Sequence, residues 1–103
     1  MLAALHTHTA ALATLCQRHH VRTVAIFGSA VRDDLDANRS DLDFLVEFQP
    51  LAPVAQSRAY FGLLEDLEQL FGRTVDLLDR SALRNPYIRT SIEQTRETLY
   101  VAA

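Results

Sequence analysis

Three aspartates and a Gly-Ser pair are the residues of this 103-residue chain whose types and spacing could do chemistry. Asp41 and Asp43 stand two apart at the head of an alternating apolar run, Leu42, Phe44, Val46 and Phe48. Residues two apart in a strand share a face with Cα atoms about 6.6 Å apart, so the two carboxylates can converge on a hard cation. Magnesium suits such a pair, because it takes carboxylate oxygens together with waters and substrate phosphates. Asp76 lies between Val75 and Leu77, an expensive setting for an unpaired carboxylate. If its strand runs beside the Asp41/Asp43 strand, about 4.8 Å away, all three carboxylates can meet. Three such groups near 5 Å apart repel by roughly 3 kcal/mol per pair at an effective dielectric of 20. A fold that gathers them holds a divalent cation there or keeps one carboxyl protonated. Upstream, Gly28-Ser29 closes the apolar run at residues 24–27. Glycine permits a sharp turn and a close ligand, Ser29 can cap the turn, and its exposed N–H groups suit a phosphate. Arg32, one turn further on, can reach the same anion as a bidentate donor. Each part alone has a plainer reading: a capped strand-to-helix turn, a surface arginine, a solvated strand end.

Hydrophobic spacing supplies the elements that must position these groups. Residues 1–20 put Leu5, Leu12, Leu15 and Cys16 on one face of a first helix. His6, His8, His19 and His20 could suggest a metal site, but residues two apart on a helix do not face one another, so they read as solvent-exposed. Residues 21–27 form a first strand stopped by Gly28, and the polar segment 33–40 an exposed loop. In the second strand, 42–48, Asp41, Asp43, Leu45 and Glu47 face one way and Leu42, Phe44, Val46 and Phe48 face the core. Pro50 and Pro53 mark a linker over 49–54. A helix over 55–71 follows, its stripe of Tyr60, Leu63, Leu64, Leu67, Leu70 and Phe71 set largely opposite Glu65, Asp66, Glu68 and Gln69. Gly72 fits the left-handed position that closes it. Residues 73–79 make a third strand, with Asp76 on the face opposite Val75 and Leu77. Ser81 or Asn85 can cap a last helix with Pro86 in its first turn and Ile88, Ile92 and Leu99 on its buried side; residues 98–101 can add a short strand. The expected fold is α/β (α+β), a mixed three- to four-stranded sheet flanked by helices, forming one domain over residues 1–103.

Composition narrows the class. Apolar residues make up 49 % and charged residues 22 %, ordinary for a globular protein. A net charge of -3 offers no basic field for a nucleic-acid backbone, so free DNA or RNA is a poor partner. The single cysteine, Cys16, cannot form an internal disulfide, and no apolar stretch approaches membrane-spanning length, which points to the cytoplasm and away from the membrane. The chain is too short for a separate substrate domain, so a large substrate must bring its own recognition surface.

Taken together, FGS, then Arg32, SDLDFLVEF and GRTVDLL resemble the minimal nucleotidyltransferases of the DNA polymerase β superfamily, whose signature is Gly-Ser, about ten residues, then Asp-x-Asp. The tail NPYIRTSI followed by LY is similar to the proline-containing last helix and closing segment of those proteins. One departure is the eleven residues, 30–40, between Ser29 and Asp41; the extra residue falls in the polar loop, where insertions are tolerated. The resemblance implies that Gly28 and Ser29 hold the triphosphate of ATP, that Asp41 and Asp43 bind two magnesium ions, and that Asp76 helps bind a metal and activates the attacking hydroxyl. It also implies a partner, since small members of the family resemble antitoxins paired with an all-helical HEPN ribonuclease, whose tyrosine hydroxyl receives AMP within a hetero-oligomer. Two other readings stand beside this one. A non-catalytic antitoxin would neutralise its toxin by occlusion, and transfer to a small molecule or a tRNA is disfavoured by the missing acceptor domain and the negative charge.

Overall fold

The structure, a computed structural model, describes residues 5–28 and 41–102. Residues 1–4 of the expected first helix and the expected loop at 33–40 lie outside them. Strands β1 (Val21–Phe27) and β2 (Leu42–Phe48) pair antiparallel, with Val24 opposite Val46, Ile26 opposite Phe44 and Phe27 opposite Asp43. Both are rich in β-branched and aromatic residues, which pack well on a pleated surface. Helix α1 (Thr9–Arg18) precedes β1, and α2 (Pro53–Phe71) carries the chain from the end of β2 back to β3 (Val75–Asp79). Because that crossover is helical, β3 lies parallel to β2, with Leu42 beside Val75, Asp43 beside Asp76 and Phe44 beside Leu77. A single 3-10 turn, Arg80–Ala82, leads to α3 (Pro86–Thr95) and then to β4 (Glu97–Val101), which pairs antiparallel with the other side of β1. The sheet is therefore mixed and four-stranded, in the order β3-β2-β1-β4.

Period-two alternation divides the sheet into two faces. Leu42, Phe44 and Val46 of β2 join Val24 and Ile26 of β1 and Val75 and Leu77 of β3 in one core. Leu12, Leu15 and Cys16 of α1 and Ala59, Leu63 and Leu67 of α2 cover that face. On α2 these residues recur every four positions, the spacing that forms one helical stripe. Pro53 occupies the first turn of α2, where its missing N–H costs nothing, so the helix begins two residues before the expected 55. Gly72 closes it with φ of 63°, and its N–H donates to the Glu68 carbonyl. The opposite face carries Asp43 and Asp76, with the buried pair Ala25 and Leu45 one row along.

Four expectations need correction. The first helix is not continuous over 1–20: a turn at residues 7–8 separates helical residues 5–6 from α1, with the Thr9 hydroxyl donating to the His6 carbonyl at 2.6 Å. His19 is not a solvated residue, since its side chain is only 15 % exposed and bonds to Asp66 at 2.6 Å. Ile88 is 46 % exposed, so Ile92 alone is buried on α3. Leu99 belongs to β4, where it packs against the core. Among the described residues, no helix is long and apolar enough to cross a membrane.

Candidate active site

One end of the sheet collects the chemistry. Here β1 leaves the sheet at Phe27, while β2 and β3 begin. Cross-strand register lines up Phe27, Asp43 and Asp76 in a single row on the face opposite the core. Asp41 precedes β2 by one residue and alternates onto the side of Asp43, one step further out. Asp43 is half-buried, whereas Asp41 and Asp76 are exposed. The Leu42 N–H donates to the Thr74 carbonyl at 3.1 Å, clamping the starts of β2 and β3 together just before their aspartates.

Gly28 follows Phe27 with φ of 75°, a left-handed conformation that L side chains rarely adopt. A Cβ placed there would stand 2.7 Å from Asp43 Oδ2, inside van der Waals contact. Glycine is thus favoured by the backbone turn, and any side chain there would have to move the Asp43 carboxylate aside. Ser29 and Arg32, the other candidate phosphate-binding residues, lie outside the described residues.

The donor set fits a hard divalent cation in type, with carboxylates on the adjacent ends of two strands and a side-chain-free turn against one of them. The three side chains are not drawn to a common point: among the described residues no three His, Cys, Asp or Glu side chains group as a ready metal cage. Strand spacing alone would set the three carboxylates near 5 Å from one another. Exposed carboxylates that repel one another have reason to take separate rotamers.

Two residues around this end act in ways that helical spacing does not reveal. Glu68, placed on the solvated side of α2, accepts the Val75 N–H at 2.9 Å and so fixes the start of β3 one residue before Asp76. Tyr60, read simply as core, donates its hydroxyl to the Leu77 carbonyl at 2.6 Å. Its pKa is raised, first by burial and then by the negative charges of Asp76 and Asp79, so it stays a neutral donor. Helical spacing shows which side of α2 such residues occupy but not which strand edge passes them. A cleft of about 510 Å³ sits at the far end of the sheet between the ends of β2 and β3, away from Asp41, Asp43 and Asp76.

Comparison with known proteins agrees with this architecture. The nucleotidyltransferase domain family matches residues 10–99. A Methanocaldococcus jannaschii protein with the provisional name protein adenylyltransferase is 38 % identical over 87 residues, spanning 84 % of this chain and 83 % of its own. Protein adenylyltransferase MntA of Thermococcus cleftensis is 36 % identical over 87 residues, spanning 84 % and 81 %. Among solved structures, one described provisionally as a minimal nucleotidyltransferase superposes with a TM-score of 0.75 at 30 % identity, covering 93 % of each chain. A chain from the complex of a tri-AMPylated Shewanella oneidensis HEPN toxin with its MNT antitoxin superposes at 0.62 with 16 % identity, covering 95 % and 73 %, a likeness of fold.

Proposed function

Since the chain belongs to the nucleotidyltransferase domain family, we propose that it is a cytoplasmic antitoxin that transfers AMP from ATP to a tyrosine hydroxyl of a partner HEPN ribonuclease and inactivates it. Asp41 and Asp43 hold magnesium, Asp76 completes the carboxylate set, and Gly28, Ser29 and Arg32 receive the triphosphate. Magnesium bound there would neutralise charge on the attacking and leaving oxygens. The chain's own share is positioning. The Gly28 turn brings phosphate oxygens close to the backbone, and the strand register fixes where Asp43 and Asp76 stand relative to them. Asp76 takes the proton of the tyrosine hydroxyl as that oxygen attacks the α-phosphorus. The bond to the β-phosphate breaks, and pyrophosphate departs.

The observation that carries this reading is the row of Asp43 and Asp76 beside a left-handed turn that favours glycine. Purified protein, radiolabelled ATP, magnesium and the product of the adjacent reading frame test it. Label should move to the neighbour, and Asp41→Asn with Asp43→Asn should reduce transfer at least 100-fold. Undiminished transfer by that variant, or none by the wild type, overturns the proposal.

A second reading, neutralisation by occlusion without transfer, is favoured by the exposed Asp41 and Asp76 side chains, which do not group with Asp43. Full rescue of growth from the toxin by the Asp41→Asn, Asp43→Asn variant would select it.

A further inference from the structure

Asp41 and Asp76 are exposed, so the backbone beneath them, and not a packed pocket, decides where they stand. One peptide group ties that backbone on both sides. The carbonyl of Thr74 and the N–H of Val75 belong to the same peptide plane, one residue ahead of Asp76. The carbonyl accepts the N–H of Leu42, the residue between Asp41 and Asp43, at 3.1 Å. The N–H donates to Oε2 of Glu68 at 2.9 Å. A planar group held at both polar ends cannot turn without breaking a bond. The half-buried Glu68 carboxylate thus reaches, through a single plane, the N–H at the centre of the Asp-x-Asp pair.

Glu68 does this from a fixed base. Its own carbonyl accepts the Gly72 N–H at 2.9 Å and closes α2, so one residue holds both ends of the turn at 72–74. The Tyr60 hydroxyl grips the Leu77 carbonyl at 2.6 Å, and α2 therefore holds β3 on either side of Asp76. A carboxylate bonds a backbone N–H more strongly than a neutral oxygen does and polarises the peptide group it holds. Glu65, three residues earlier, is exposed and accepts the Gln69 amide at 3.5 Å, a bond within its own helix. We propose that Glu68 is a positioning residue: it holds the peptide group between Thr74 and Val75 against Leu42 and so sets the Asp76 carboxylate relative to those of Asp41 and Asp43. The inference rests on the proposed function for the reaction that this arrangement serves, and on hydrogen bonding alone for the link from Glu68 to Leu42.

Wild type, Glu68→Ala, Glu68→Gln and the control Glu65→Ala test this in two ways. Amide hydrogen exchange reads the link without any reaction: Glu68→Ala should speed exchange at least about tenfold at Val75 and, across the shared plane, at Leu42, while Val24 of β1 stays within about twofold of the wild type. The labelling assay with ATP, magnesium and the product of the adjacent reading frame reads the consequence. Glu68→Ala should lower kcat at least about tenfold and keep the KM for ATP within about threefold, since Glu68 acts through Asp76 and not on the triphosphate. Glu68→Gln, whose amide oxygen still accepts the Val75 N–H, should recover most of the rate, and Glu65→Ala should match the wild type. If Glu68→Ala does not fold, Glu68→Asp, which keeps the charge but withdraws the oxygens by one methylene, takes its place with the same expectations. A lower melting temperature with unchanged kcat, or unchanged exchange at Leu42, would overturn the proposal and leave the transferase reading standing. Absence of transfer by the wild type would remove that reading. Titration with Mn2+ alone then decides the proposal: its broadening of the Asp43 and Asp76 amide signals should need at least about fivefold more ion in Glu68→Ala, and equal titration curves would overturn it.

Discussion

Across β1, β2 and β3 the row Ile26, Phe44 and Leu77 is sealed in the core at 0, 0 and 3 % exposure, whereas the next row along, Phe27, Asp43 and Asp76, is half-buried or exposed. The two rows are one residue apart and follow the same register. Because strand side chains alternate, one register both builds the core and delivers two carboxylates to the other face. A slip of one residue would bury Asp43 and Asp76 and expose Phe44 and Leu77, so the hydrophobic effect that fixes the core also fixes the site.

The contrast can be broken most severely from the core side. Phe44 is fully buried and stacks on Phe71 with ring centroids 5.7 Å apart. Phe44→Ala should cost about 3–5 kcal/mol and lower the melting temperature by more than about 12 °C, measured by thermal denaturation. On the open face, Gly28→Ala should cost about 1–2 kcal/mol from the left-handed backbone alone. Its methyl group must also displace the Asp43 carboxylate, so transfer should fall by a larger factor than stability predicts when both are measured on the same preparation. Should Gly28→Ala keep full activity, the turn and Asp43 do not act together. The smallest effect sharpens the contrast on the helical side, where a carboxylate has permanent partners. Asp66 accepts from His19 at 2.6 Å and Arg18 at 3.1 Å, and these contacts, His19 first, hold its pKa below the ordinary value. A depressed folded-state pKa adds stability that is present above about pH 4 and is lost as pH falls through the folded value. Asp66→Asn should therefore lower the denaturation midpoint slightly at pH 7, and the difference should shrink as pH falls below about 4.

Much of this was legible in the sequence because it depends on intervals within one element. The limits of β1 and β2 and the closure of α2 at Gly72 follow from local spacing, as does a cap for α3 at Ser81 or Asn85, of which Asn85 takes the role by accepting the N–H groups of Tyr87 and Ile88. The side-by-side placement of Asp43 and Asp76 followed from the further assumption that the second and third strands are neighbours. What the sequence hid lies between elements. His19 reads as one of four scattered histidines, yet it packs against Gly62, where an added Cβ would stand 2.6 Å from its ring, and is tied to Asp66 47 residues away. Ile88 has the spacing of a buried residue, but α3 offers the sheet little more than Ile92. Glu68 has the polarity of a solvated residue but answers a backbone N–H of β3. Periodicity reports amphipathic character and does not report how much of a stripe finds a neighbour.

The bonds from Glu68 and Tyr60 to Val75 and Leu77 carry one last consequence. β3 is a terminal strand of the sheet, and such strands are the usual template for unwanted pairing between molecules. Here a donor and an acceptor on its outward margin are already occupied by side chains of α2, so that margin is blunted against recruiting an extra strand, and self-association into fibres along it is disfavoured from within the fold.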